Sequence, residues 1–323
     1  MKGKYHVVVQ NRRIKFEFDI RRNITIIRGD SATGKTTLIN LIETYERYGD
    51  ESGIILSCDK SCLTINNGNW EGVIARSHEC IIFADEDTGI VKTPDFAAAI
   101  RGSDNYYVLI TREDLPNLPY SVEEIYGIHV SGKYAGVRQV YNSFYRLYGT
   151  RDMKSPGTVD MVLAEDTNSG FEFLKAVVSE NMDCVSAGGK TKIRNLVKSN
   201  KGKSILVFAD GAAFGAEIGE LYLYMKDHPE VCAYLPESFE WIILSSGLID
   251  GKRVEEIINN TESHLESADY FSWEQYYTKL LVQETKDTYL RYSKSHLNEV
   301  YLHPKEKKAL LDVIEILKPI LET

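Results

Sequence analysis

The chain has 323 residues, 43% hydrophobic and 26% charged, with 38 basic against 47 acidic side chains, a formal net charge of −9. These values exclude a disordered or fibrous chain, and the length predicts two domains, each able to bury its own core. The acidic excess argues against non-specific coating of nucleic acid, although a local basic patch or bound metal ions could still meet phosphates.

The charge is uneven, −1 over residues 1–150 and −8 over residues 151–323. The first residues, Met1 to His6, carry charge without a long apolar run behind it, so no signal peptide is expected. No apolar stretch approaches the ~20 residues that span a bilayer. Five cysteines (58, 62, 80, 184 and 232) form no disulfide framework, and the Cys58/Cys62 pair lacks the second Cys/His pair of a zinc site. A cytoplasmic chain with reduced thiols and no membrane partner is the expectation.

In chain order, alternation predicts strands at Tyr5–Val9 and Ile14–Phe18 around an Asn11-Arg12-Arg13 turn. The β-branched run Ile24–Ile27 reads as a buried strand, and Thr36–Tyr48 has helical spacing. Ile54–Leu56, Ile81–Ala84 and Tyr106–Ile110 read as strands, with a short helix over Pro94–Ile100. Val122–Val130 and Tyr134–Tyr141 are expected to form a hairpin about Ser131-Gly132-Lys133. Gly149–Gly157 has linker composition. Beyond it, strands at Val159–Ala164, Asp183–Ser186 and Ser204–Ala209 alternate with helices at Gly170–Ser179, Thr191–Ser199 and Ala216–Lys226, which implies a parallel sheet. Trp241–Leu244 is apolar and of either type. From 251 onward the pattern is charged, Tyr-rich and helical, ending in Pro304–Leu321. Its tyrosines fit a packing face, with base stacking as the alternative. The expected class is α/β, with domains at 1–150 and 151–250 and a helical extension at 251–323.

Between the Ile24–Ile27 strand and the following helix lies Gly29-Asp30-Ser31-Ala32-Thr33-Gly34-Lys35-Thr36, a full GxxxxGK[ST] match. Such a loop wraps its N–H groups around a polyphosphate, and the helix N-terminus adds partial positive charge. Lys35 is expected to reach the β- and γ-phosphates, Thr36 to ligate Mg²⁺, and Thr37 to lie near the α-phosphate. Asp30 is unusual there, since a carboxylate repels phosphate unless it points outward or holds metal. Ile81–Ala84 leads into Asp85-Glu86 and resembles a Walker B segment. Asp85 is expected to hold Mg²⁺ and Glu86 to polarise the attacking water, with Asp87 as the alternative. Thr111 or Arg112 ends the next strand and resembles a γ-phosphate sensor; pairing of Arg112 with Glu113 or Asp114 is the alternative.

Together, residues 5–140 resemble a reduced P-loop ATPase core of the ATP-binding-cassette type. No LSGGQ-like signature or helical lobe lies between its two acidic and glycine motifs, and no [NT]KxD guanine motif follows. ATP and Mg²⁺ are the implied ligands.

Three strand ends in the second half carry Glu165-Asp166, Ala187-Gly188-Gly189-Lys190 and Asp210-Gly211. Carboxylates at neighbouring parallel strand tips converge where α/β folds place ligands, and oxygen donors suit Mg²⁺. Helix capping by Glu165 and Asp166 and a plain turn at Asp210-Gly211 are the alternatives. Over residues 158–245 this order resembles the Toprim domain. Glu165 and Asp210 fall on that family's Glu and first Asp, while Ala212 stands at its second Asp. Pro236–Glu240 resembles a P-x-x-x-E stretch of defence-associated relatives. The resemblance implies metal ligation or acid–base chemistry by Glu165, a catalytic metal held by Asp210 with Glu237 or Glu240, and phosphate contact by Lys190.

The whole chain resembles the overcoming-lysogenization-defect nucleases and related phage-defence proteins. That implies ATP-regulated, Mg²⁺-dependent cleavage of DNA or RNA, with a homo-oligomer or partner protein. A nucleotide-dependent switch with a degenerate, non-catalytic second domain is the alternative, and a small-molecule kinase a weaker third.

Overall fold

The computed structural model describes residues 1–29, 34–85, 89–131, 139–148, 158–178, 182–249 and 251–317. Asp30, Ser31, Ala32, Thr33, Glu86 and Asp87 therefore lie outside the described residues, as does the Gly149–Gly157 linker. The chain is mixed α/β and folds as two compact units. The first comprises residues 1–120, 124–148 and 262–271, and the second 121–123, 149–261 and 272–323.

The first unit contains strands β1 (Tyr5–Gln10), β2 (Ile14–Ile20), β3 (Ile24–Ile27), β4 (Ile55–Ser57), β5 (Cys62–Ile65), β6 (Ile81–Ala84), β7 (Tyr106–Ile110), β8 (Ile125–Ser131) and β9 (Val140–Arg146). They form one sheet in the order β4-β1-β2-β9-β8-β3-β7-β6-β5. The pairs β3–β7, β3–β8, β7–β6, β6–β5 and β2–β9 are parallel, and β1–β2, β1–β4 and β8–β9 antiparallel. Strands β3, β6 and β7 are buried along their whole length, as expected of central strands whose apolar runs do not alternate.

Helix α1 (Lys35–Tyr48) follows β3, and α2 (Trp70–Arg76) and α3 (Pro94–Ile100) follow β5 and β6. Leu38, Ile39, Leu41 and Ile42 of α1 pack with Val7, Val9, Phe16 and Phe18 of the β1–β2 hairpin and with Phe83, Val108 and Ile110. The 3.6-residue spacing thus becomes one apolar face of α1.

Two features differ from the sequence expectation. The described strand that pairs antiparallel with β8 is Val140–Arg146, whereas the sequence pattern predicts Tyr134–Tyr141 and residues 132–138 lie outside the described residues; Tyr126 pairs with Arg146 and Ser131 with Tyr141. Alternation within 140–146 buries Asn142 and leaves Tyr141 and Tyr145 about half exposed. Strand β8 starts at Ile125, because Val122–Glu124 forms a 3-10 turn.

The second unit has a parallel sheet of β10 (Met161–Ala164), β11 (Asp183–Ser186), β12 (Ile205–Phe208) and β13 (Val231–Tyr234), ordered β11-β10-β12-β13. Helices α4 (Ser169–Val177), α5 (Lys190–Ser199) and α6 (Gly215–Asp227) connect successive strands. Beyond β13 come α7 (Phe239–Ser245), α8 (Lys252–Asn259), α9 (Trp273–Thr285) and α10 (Pro304–Val313). Trp241–Leu244 is therefore helical. Tyr277, Tyr292 and Tyr301 are buried, so these tyrosines serve packing. The five cysteines are free thiols. Among the described residues, no helix is long and apolar enough to cross a membrane.

Candidate functional site

The first unit gathers its motif residues along one sheet edge. In the parallel register, Ile27 of β3 lies opposite Ile110 of β7, and Leu109 opposite Ala84 of β6. The segments that follow these strands, Arg28-Gly29, Thr111 and Asp85, therefore leave the sheet on the same side.

Gly29 has φ 144° and Gly34 φ 91°, conformations that a side chain disfavours. A Cβ on Gly34 would lie 3.3 Å from the buried Phe16 ring, so the β1–β2 hairpin packs closely against Gly34. Gly34 caps α1, and its carbonyl accepts the Leu38 N–H at 2.9 Å. Lys35 is buried at 6% exposure, and its ammonium donates to the Gly29 carbonyl at 2.5 Å. The ammonium thus lies back across the start of the loop. Thr36 and Thr37 are exposed on the first turn of α1, and Asp85 is half-buried.

The two sensor candidates are placed differently. The Thr111 hydroxyl is buried, donates to the Glu113 carbonyl at 3.0 Å and accepts the Glu113 N–H at 3.0 Å. Arg112 is exposed. Arg28 on this edge is bound to Asp114 and to the Tyr120 hydroxyl at 3.0 Å. Burial lowers its affinity for a proton, but Tyr120 and Asp114 raise it by more, so it is a fixed cation.

In the second unit, Glu165 and Asp210 follow adjacent strands, and the Asp210 N–H donates to Glu165 Oε2 at 3.1 Å. Gly211 explains how closely the chain turns here: its N–H donates to the Pro236 carbonyl at 2.6 Å, and a Cβ would lie 2.5 Å from the Leu235 oxygen. The neighbouring Ala212 is buried at 2% exposure, with its N–H on the Glu237 carbonyl. This turn fixes Asp210 beside α7, whose Glu240 is 1% exposed. Asp166 instead accepts the Asn168 N–H at 3.1 Å and holds the turn before α4. The Lys190 ammonium donates to the Ala213 carbonyl at 2.7 Å and lies 3.6 Å from Glu217; it anchors the start of α5.

Two residues that the sequence did not single out complete the cluster. The Tyr292 hydroxyl donates to Glu240 Oε1 at 2.9 Å and shares a 2.7 Å hydrogen bond with Ser169. Lys294 forms an ion pair with Glu274, and its ammonium lies 3.8 Å from Glu240 Oε1. Glu165, Asp210, Phe239, Glu240, Tyr292 and Lys294 line a cleft of about 20 Å³, room for a water molecule. Burial pushes the Glu165 carboxyl up to about 7. Burial, and then Glu274, Glu240 and Glu165, push Asp210 well above the usual carboxylate range.

The fit to divalent metal differs between the two edges. Thr36 and Asp85 present a hydroxyl and a carboxylate on the same edge as the glycine-rich loop, which is the donor chemistry Mg²⁺ takes beside phosphates. The second edge supplies hard oxygens as well, but Glu240 is engaged by Tyr292 and faces the Lys294 ammonium. Among the described residues, no group of three or more His, Cys, Asp or Glu is arranged to hold an ion. As arranged, this edge does not fit a divalent cation. Compared with protein-family models, curated proteins and solved structures, the chain gives no match.

Proposed function

We propose that this protein is an ATP-binding and ATP-hydrolysing switch, with a P-loop core in its first unit and a Toprim-like second unit that engages nucleic acid or a partner protein. The observation that carries the reading is the passage from β3 to α1. A fully buried strand ends at a glycine of positive φ, and the helix restarts at another, immediately before a buried lysine. Backbone N–H groups at the start of α1 and the Lys35 ammonium are suited to the oxygens of a triphosphate. Thr36 and Asp85 would hold Mg²⁺, which supplies charge neutralisation at the phosphates. Glu86 follows Asp85 in sequence, and a carboxylate there would orient the attacking water. Arg28, held by Asp114 and Tyr120, supports a positioning role for that side chain.

The experiment is calorimetry with Mg²⁺ and ATP on the full chain, paired with a phosphate-release assay. The intact protein is expected to bind ATP and release phosphate. Lys35→Ala is expected to weaken binding at least about tenfold, the scale of a lost charge-assisted contact. No uptake of ATP, or uptake unchanged by Lys35→Ala, would remove the reading.

A second reading is a Mg²⁺-dependent nuclease of the overcoming-lysogenization-defect type, acting in defence against phage. It is favoured by the approach of Glu165 and Asp210 within one hydrogen bond, beside Glu240. With its carboxyl near neutrality, Glu165 can take or give a proton at the cleft. Cleavage of DNA or RNA by the intact protein and its loss in Glu165→Gln would support it. Against it stand Ala212, where the resemblance calls for a carboxylate, and the cation already present beside Glu240. Both favour the non-catalytic switch.

A further inference from the structure

The acidic edge of the second unit carries a cation supplied by its own chain. Four carboxylates face this region: Glu165 and Asp210 at the strand tips, Glu240 on α7 and Glu274 on α9. The Lys294 ammonium is paired with Glu274 and is 3.8 Å from Glu240 Oε1. Its backbone is pinned as well. The Lys294 carbonyl accepts the Ser169 N–H at 3.0 Å, and two residues earlier the Tyr292 hydroxyl bridges Ser169 and Glu240. The Tyr292 N–H is held in turn by the Thr285 hydroxyl at 2.9 Å. A lysine attached this way differs from a freely solvated one, since its stem leaves a fixed backbone and its charge lies between the half-buried Glu274 and the buried Glu240.

We propose that Lys294 is the resident counter-cation of this edge and excludes divalent ions from it. A tethered ammonium meets the carboxylates without shedding the tight water shell that Mg²⁺ must give up. A dication entering the same cleft would face the ammonium as a like charge at close range. Space adds to the effect, because with Lys294 in place the cleft keeps only about 20 Å³, the room of one water molecule. This inference goes beyond the nucleotide reading: it concerns the second unit alone and can fail while ATP binding by the first unit stands.

The test is Mn²⁺ titration of the nucleotide-free full chain, read by the electron paramagnetic resonance signal of free Mn²⁺. An Asp85→Asn background removes the metal ligand proposed for the first unit. In that background, the chain is expected to show no uptake that depends on Asp210. Lys294→Gln is expected to gain a site at least about tenfold tighter, the effect of removing one like charge, and adding Asp210→Asn is expected to abolish the gain. The proposal is overturned if Lys294→Gln binds Mn²⁺ no more tightly than its parent, or if the parent already has a comparable Asp210-dependent site. Should Lys294→Gln not fold, acetic anhydride labelling of the unaltered protein decides the matter. Labelling of Lys294 is expected to be unchanged by Mn²⁺, and faster labelling with Mn²⁺ present means that the ion displaces it and the proposal is wrong.

Discussion

Glu165 links the fold of the second unit to pH. In an unfolded chain its carboxyl ionises near 4.5, and in the fold near 7 because burial disfavours the charge. Between those values the folded state keeps a proton that the unfolded state releases, so stability falls as pH rises from the lower to the higher. The loss attributable to Glu165 is at most about 3 kcal/mol. Asp210, raised by burial and by three acidic neighbours, acts in the same direction. Urea denaturation in EDTA from about pH 5 to pH 8 is expected to show a falling midpoint for the second unit. Glu165→Gln, which carries no titrating proton, is expected to flatten that slope. An unchanged slope would mean that Glu165 ionises alike in both states.

The turn between β12 and α6 sets the geometry of the acidic edge, and its tolerance is small. At Gly211 an added methyl group would meet backbone oxygens of Leu235 and Pro236 at 2.5 and 2.9 Å, atoms that cannot rotate away. Gly211→Ala is therefore expected to destabilise the protein by about 1–3 kcal/mol, the usual cost of forced overpacking. The measurement is thermal denaturation, with loss of the second unit's transition temperature as the readout; an unaltered transition would show that the two strand ends can part freely. The β12 side of this turn was among the legible parts of the sequence. The runs at 24–27, 81–84, 106–110 and 205–208 contain mainly β-branched and large apolar residues, and burial makes that pattern plain. Strands β5 and β13 escaped because Cys62-Leu63-Thr64-Ile65 and Val231-Cys232-Ala233-Tyr234 are short and weakly marked, and pairing with a neighbour decides their state. Tyr292 and Lys294 escaped for a different reason. Their partnership with Glu240 and Glu274 is made by tertiary packing, and a Tyr-x-Lys spacing in a charged tract carries no sign of it.

The two units share one polypeptide in an interleaved way. Residues 262–271 belong to the first unit although most of the chain from 149 onward builds the second. In this segment Ser267 N–H bonds the Met1 carbonyl at 3.0 Å, and the Asn23 amide reaches the Ser267 and Tyr270 carbonyls at 3.1 and 2.9 Å. The Phe271 ring also packs under Arg101. A fragment ending at residue 148 would leave the buried side chains of Met1 and Asn23 uncovered. Its melting temperature is expected to fall several degrees below that of the first unit in the full chain, since loss of about 1–2 kcal/mol shifts such a domain by roughly that amount. Equal melting temperatures would show that the segment adds nothing.

That interleaving has a consequence for synthesis. A ribosome makes this chain from its amino end, and the strands of the larger sheet emerge long before the ten residues that close over its margin. The first unit must therefore wait, incomplete, while residues 149–261 of the second are translated, and the second is itself complete only once residues 272–323 follow.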